Sequence, residues 1–207
     1  MKYLTVYKKF RKNIAKFPDK EKEKIWQAYL YAKKYHKGQI CYPGFPFIIH
    51  PMGAANFLME FGYWEHEMVM SALLHDVVED TPATLKEVKK KFGNRVYRLV
   101  RGNTRIKPKS ETTQLIRFRN KIAKFRKTMK ASKEIRAIKC CDLLFNVSWW
   151  RYNPKKSWQT DKFPRRIKEA QALYLPLAQK TDRRIYLRMK KEYAKFLKWY
   201  GKKPKFP

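Results

Sequence analysis

The sequence predicts an all-α fold, and three observations carry that prediction. Of its 207 residues, 44% are hydrophobic and 15% aromatic, enough to build a packed core. Only seven are glycine, and no run of alternating apolar and polar residues bounded by turn signals reads as a strand. Apolar residues recur instead at steps of three and four, the spacing that gathers them on one side of a helix.

The first expected element is a short basic amphipathic helix over Leu4–Ala15. In "FPDKEKEK" the proline ends it. Asp19 is placed to cap a second helix, with Glu21 and Glu23 at the positive end of its dipole. Ile25, Tyr29 and Ala32 give that helix an apolar side to about Tyr35. "HKGQICYPGFPF" reads as a loop punctuated by Gly38, Pro43, Gly44 and Pro46. Pro51 suits the first position of a helix that runs to Phe61 and stops at Gly62, with His50 just before it. A further helix covers about His66–Val78, ended by Thr81 and Pro82. Thr84–Phe92, closed by Gly93, and Arg95–Val100 are two short ones.

"RGNTRIKPKSETT" is a polar, basic loop. Leu115, Phe118, Ile122, Phe125 and Met129 then form an apolar stripe. The rest of that helix carries Arg117, Arg119, Lys121, Lys124, Arg126, Lys127 and Lys130 with no acid among them. It is either a polyanion-binding face or an ordinary solvated helix surface. Residues 132–150 read as a helix with Ile135, Ile138, Leu144 and Val147 inward. A second loop, "RYNPKKSWQTDKFP", precedes helices over about Pro164–Ala178 and Asp182–Tyr200. With no repeat and no linker, the expectation is one domain over 1–207.

The chain holds 50 Lys plus Arg against 17 Asp plus Glu, a formal charge of +33. Such a surface attracts nucleotides, nucleic acid or anionic lipid, or reflects a lysine-rich composition that only maintains solubility. Three cysteines, Cys41 and the adjacent Cys140 and Cys141, argue against a disulfide framework or structural zinc and fit a reducing cytosol. "MKYLTVYKKF" lacks the apolar core of a signal peptide. The apolar run Met68–Val78 is too short to span a bilayer. A cytoplasmic protein without a membrane span is therefore expected; the sequence says nothing of its oligomeric state.

Acids are scarce, yet Asp76, Glu79 and Asp80 fall together in "SALLHDVVEDTP" beside His75. Helical spacing puts His75 near Glu79, and Asp76 near Glu79 and Asp80. Like charges on an apolar flank need a cation, and no lysine lies between Glu67 and Lys86. A divalent metal fits, since imidazole and carboxylate are its usual mixed ligands. Further ligands must come from elsewhere. His50, in "IIHPMGA", and Asp142, in the otherwise apolar "IKCCDLLFNV", stand out. Each also has an ordinary reading: a structural histidine, and an aspartate paired with an arginine.

Taken as a set, "HKGQ" at 36–39, "GFPFIIHP" at 44–51, "ALLHDVVEDT" at 72–81, "FGNRVYRLV" at 92–100, "IKCCDLLFN" at 138–146 and "YLPLA" at 174–178 resemble a known family. It is the HD superfamily of metal-dependent phosphohydrolases, and within it the hydrolase domain of the RelA/SpoT alarmone enzymes of the stringent response and the small alarmone hydrolases. The resemblance covers about residues 25–180 and implies a compact multi-helix HD-domain bundle. It implies one metal ion, usually Mn²⁺ with Fe²⁺, Co²⁺ or Mg²⁺ as other candidates, held by His50, His75, Asp76 and Asp142. It assigns Glu79 and Asp80 to orienting or activating the attacking water, and Asn146 to the substrate ribose. The implied reaction removes the 3′-diphosphate of guanosine 3′,5′-bis(diphosphate) as pyrophosphate. The alternatives are a phosphohydrolase acting on another nucleotide such as NADPH, or a basic nucleic-acid-binding module with a vestigial site.

This chain departs from the family around the substrate. Cys41 and Tyr42 stand where an Arg-Lys pair is usual. Leu143, Leu144, Phe145 and Asn146 replace Arg-Leu-His-Asn, and Trp149 replaces a threonine. Tyr42 is expected to touch substrate; Tyr42 or Trp149 either stacks on a base or fills space. No synthetase domain is expected to follow.

Overall fold

Helices make up most of the described residues in a computed structural model that describes residues 2–42, 44–105, 113–153 and 162–201. In chain order they are α1 (Lys2–Ile14), α2 (Asp19–Tyr35), α3 (Ile49–Glu60), α4 (His66–Leu74), α5 (Val77–Asp80), α6 (Leu85–Asn103), α7 (Gln114–Lys130) and α8 (Lys133–Trp149), followed by α9 (Lys162–Glu169), α10 (Leu175–Thr181) and α11 (Arg183–Tyr200). A 3-10 turn at Trp150–Tyr152 prolongs α8, and a π-helical turn at Ala170–Tyr174 joins α9 to α10. No helix among the described residues is long and apolar enough to cross a membrane.

Helix starts follow the local chemistry. Thr84 and Glu87 form a reciprocal capping box at α6. Thr113, Ser132 and Asp182 each accept from a backbone N–H of the first turn of α7, α8 and α11. The break expected at Gly93 is present: with φ 86° and ψ 173° it interrupts α6 in a conformation that only glycine adopts at little cost.

Several details differ from the expectation. Pro18, not Asp19, occupies the cap position of α2 and makes no side-chain cap hydrogen bond. The helix expected over 164–178 is interrupted by the π-helical turn. The loop at 36–47 contains a two-stranded antiparallel hairpin, β1 (Ile40–Tyr42) and β2 (Phe45–Pro46), around a turn with Gly44 at φ 77°. The helix expected to 78 breaks after Leu74 and resumes as α5. The reason is local: the His75 ring bonds the Ala72 carbonyl, and Asp76 relaxes to φ −99°, ψ −10°. His50 lies inside the first turn of α3 rather than before it, its N–H bonded to the Phe47 carbonyl at 2.9 Å. The loop at 106–112, most of the second loop, the side chains of Tyr42, Leu115, Arg117 and Phe118, and residues 202–207 lie outside the described residues.

α3 packs against α1, α4 and α8; α4 packs also against α2 and α6; α8 packs also against α10 and α11. The central helices are therefore buried all round, which explains why α4 is apolar over Met68–Leu74 without a polar side. Each large aliphatic or aromatic side chain so buried contributes about 1.5–3 kcal/mol relative to exposure. α3 and α8 approach closely at Gly53, where any Cβ would run into the Phe145 ring. The three central helices are thus fixed tightly, and the polar groups they carry are fixed with them.

Candidate metal centre and active site

Three distant stretches meet at one buried point. His50 comes from the start of α3, His75 and Asp76 from the break between α4 and α5, and Asp142 from the middle of α8. His50 Nε2 stands 3.2 Å from His75 Nε2, 3.2 Å from Asp76 Oδ2 and 3.1 Å from Asp142 Oδ1. His75 Nε2 is 3.2 Å from the same Asp76 oxygen and 3.7 Å from the Asp142 oxygen. His50, His75 and Asp142 are buried, while the Asp76 side chain is 18% exposed and opens the cluster to solvent.

This donor set fits a divalent cation. His75 Nδ1 lies 2.7 Å from the Ala72 carbonyl, which can only accept. That nitrogen therefore carries the proton, and in the neutral ring Nε2 turns a lone pair toward the cluster. Two imidazole nitrogens and two carboxylate oxygens facing one another need positive charge between them. His50, His75 and Asp142 offer ligand atoms all within 4.8 Å of one another and could hold a metal ion.

The proton equilibria express the same demand. Burial alone would lower both histidines. Hydrogen bonds to Asp142 and Asp76 outweigh it at His50, the Asp76 charge outweighs it at His75, and both are raised. Burial alone would raise the two carboxyls. The Lys139 charge at Asp142 and the His75 charge at Asp76 win instead, and both stay below the usual carboxylate range.

α8 adds two partners to Asp142. Lys139 Nζ lies 2.6 Å from Asp142 Oδ2, and Asn146 Nδ2 donates to Asp142 Oδ1 at 2.9 Å and to its carbonyl at 3.2 Å. These three residues lie one turn apart on one side of the helix. Asp142 Oδ1 thus faces His50 while its other oxygen is held by an ammonium.

Glu79 and Asp80 stand on α5, one turn beyond Asp76. Glu79 Oε2 accepts the Arg105 backbone N–H at 2.9 Å, and Arg105 Nε stands 3.6 Å from Oε1. Glu79 also acts electrostatically on Lys139 and Lys124. Lys124 donates to the carbonyls of Gly102 and Thr104 at 2.6 and 2.9 Å. Burial, and after it the like charge of Lys139, lowers its ammonium to about 8. Asp80 is exposed, and its carbonyl accepts from Gln39 Nε2 at 2.9 Å. The Gln39 amide oxygen in turn receives His36 Nδ1 at 2.8 Å, so "HKGQ" ties the hairpin to the end of α5.

Phe145 and Trp149 stack with ring centroids 5.2 Å apart, and Phe145 meets His50 edge-on at 5.4 Å. Trp149 is 8% exposed and also packs on Phe45. Of the two roles open to Trp149, this burial favours filling space. Tyr42 lies in β1, with its side chain outside the described residues.

Sequence reasoning missed Lys139 and Arg105. The first had a signal: it precedes Asp142 by three positions in "IKCCD", an ion-pair spacing on a helix. The Asp142 partner is thus a lysine of its own helix, not an arginine. Arg105 had none, because it reaches Glu79 across 26 residues from a segment read as loop.

Comparison with known proteins agrees with this layout. The HD domain family matches residues 28–183. A guanosine-3′,5′-bis(diphosphate) 3′-pyrophosphohydrolase of Aquifex aeolicus is 37% identical over 163 residues, covering 75% of this chain and 21% of that protein. The bifunctional (p)ppGpp synthase/hydrolase SpoT of Escherichia coli is 35% identical over 168 residues, covering 78% of this chain and 22% of that protein. The chain spans about a fifth of the length of these curated relatives. A solved structure of a metazoan SpoT ortholog, described as hydrolysing ppGpp, superposes with a TM-score of 0.73 at 25% identity, covering 86% of this chain and 97% of that one.

Proposed function

We propose, on the premise that this chain belongs to the HD domain family, that it hydrolyses guanosine 3′,5′-bis(diphosphate) at the 3′ position and releases pyrophosphate. The observation that carries the reading is the convergence of His50, His75, Asp76 and Asp142 on one point, with the His75 tautomer fixed by Ala72. These four side chains would hold the ion, Mn²⁺ by preference. A divalent ion there would polarise a phosphoryl oxygen and lower the pKa of water.

The remaining roles fall to the chain's own groups. Glu79, aimed by the Arg105 N–H, takes or steers the proton of the attacking water, with Asp80 beside it. Lys139 holds one oxygen of Asp142 and so turns the other toward His50. Asn146 fixes that carboxylate from the opposite side and faces the ribose. Lysines near the site offset the negative charge of the substrate and speed its approach. We treat 1–207 as one domain with its core at about 25–180, and the cytoplasm as its compartment.

A second reading, phosphohydrolysis of another nucleotide such as NADPH, is favoured by the departures from the family around the substrate, Cys41 and Tyr42 in place of Arg-Lys and Phe145 in place of histidine. The vestigial-site reading is disfavoured, because none of the four ligand types is missing. Purified protein incubated with ppGpp and Mn²⁺ should release GDP and pyrophosphate. Metal-loaded protein that leaves ppGpp intact removes that substrate, and phosphate release from NADPH under the same conditions would establish the second reading.

A further inference from the structure

The family match spans residues 28–183, which leaves α1 and nearly all of α11 outside it. Both helices are strongly basic, and they meet at one residue. Glu60, the last residue of α3, receives Lys9 of α1 on Oε2 at 2.5 Å and Arg188 of α11 on Oε1 at 2.9 Å. We propose that α1 and α11 together form a nucleic-acid interface beside the HD domain core, gripping a phosphate backbone without reading bases.

The charge on these helices is one-sided. The one acid in either is Glu192, which is buried and tied to Arg188 and Lys195 at 3.3 and 3.0 Å. Lys8 and Lys12 on α1, and Arg183, Lys190, Lys191 and Lys198 on α11, are exposed and make no ion pair among the described residues. On α11 Arg183, Lys190, Lys191, Lys195 and Lys198 follow helical spacing and share one exposed side with Leu187 and Ala194. Like charges at these steps destabilise a helix by about 0.2–0.5 kcal/mol per pair. A polyanion laid along the helix reverses the sign of that effect.

The partner is a nucleic acid rather than a lipid surface. Most apolar residues of both helices, among them Phe10, Ile14, Ile185, Met189 and Phe196, are buried in the core, which leaves only Leu4 and Leu187 as exposed large apolar side chains on the described parts of these helices. A helix that lies in a membrane interface needs that side free for the acyl region. What remains outward on the 18-residue α11, about 27 Å long at 1.5 Å per residue, is a row of cations interrupted by Leu187 and Ala194. A duplex carries about one negative charge per 1.7 Å of its axis, so the row meets many phosphates at once. Exposed amide or aromatic side chains that would read base edges are sparse on these faces, so binding is independent of sequence.

The test is fluorescence anisotropy of the full chain with a labelled RNA strand and a labelled DNA duplex, each titrated at several salt concentrations. Affinity should fall steeply with salt. Changing Lys8, Lys12, Lys190 and Lys191 together to Gln should weaken binding at least about tenfold and reduce the log–log salt slope by about 4. Arg at the same four positions should bind like the parent, which separates lost charge from lost helix. The same number of Gln changes at Lys86, Lys89, Lys90 and Lys91, exposed on α6, should leave the slope within about one of the parent. No binding of either nucleic acid at low salt would overturn the proposal. So would an equal loss from the α6 changes, or binding confined to vesicles containing anionic lipid.

Discussion

The hydrogen bond from His75 Nδ1 to the Ala72 carbonyl decides what the other ring nitrogen can do. It commits one nitrogen to the proton and leaves the other as a ligand or a proton acceptor. Asp142 is governed in the same way, one oxygen taken by Lys139 and the other turned to His50. Changing Asp142 or Asp76 to Ala should therefore abolish metal retention, read by elemental analysis of protein purified with excess Mn²⁺. Glu79→Gln is isosteric and keeps the Arg105 contact possible, so metal content should be retained while turnover falls about 10²–10⁴-fold, the usual weight of general acid–base catalysis. Equal metal content in all three variants would refute this division of roles.

The helices were legible where periodicity and caps agreed. Ser132 and Asp182 mark real capped starts and Gly93 a real break, whereas α2 begins at Asp19 without a side-chain cap. What stayed hidden needed contacts across the chain. The split after Leu74 follows from side chains drawn into the site, the hairpin is too short to show a two-residue alternation, and the π-helical turn at Ala170–Tyr174 leaves no period of its own. The four proposed ligands and the Glu79–Asp80 pair stood out as scarce acids and histidines in apolar runs. Arg105 and Lys124 did not, because in a chain with 50 Lys plus Arg no single cation is conspicuous, and Lys139 is marked only by its spacing from Asp142. Two outcomes belong to this scale. Gly53→Ala should cost about 1–3 kcal/mol of stability by overpacking against Phe145, measured by denaturant unfolding, and the added change Phe145→Leu should recover part of it. Asp182 caps α11, and the Arg184 hydrogen bond holds its carboxyl down to about 2. A carboxyl lowered on folding stabilises above its unfolded value, so this contribution is present above about pH 4 and disappears as pH falls toward 2. Thermal unfolding should show Asp182→Asn losing less stability than the parent across that window.

At the scale of the molecule, a formal charge of +33 means the folded chain repels itself. Added salt shortens the reach of that repulsion, from about 30 Å at 0.01 M to about 10 Å at 0.1 M. The melting temperature should therefore rise between these conditions, and a fall would show that specific ion pairs outweigh the diffuse field. The bond between Arg188 and Glu60 closes a span of 128 residues, whereas Lys9 reaches the same carboxylate across 51. Loop closure and the folding rate both disfavour the longer span. As the polypeptide emerges from the ribosome, α1 can seat itself on α3 early. α11 must wait until α4 to α10 have been made, and until it arrives α8 is left with an uncovered apolar flank that a chaperone is suited to shield.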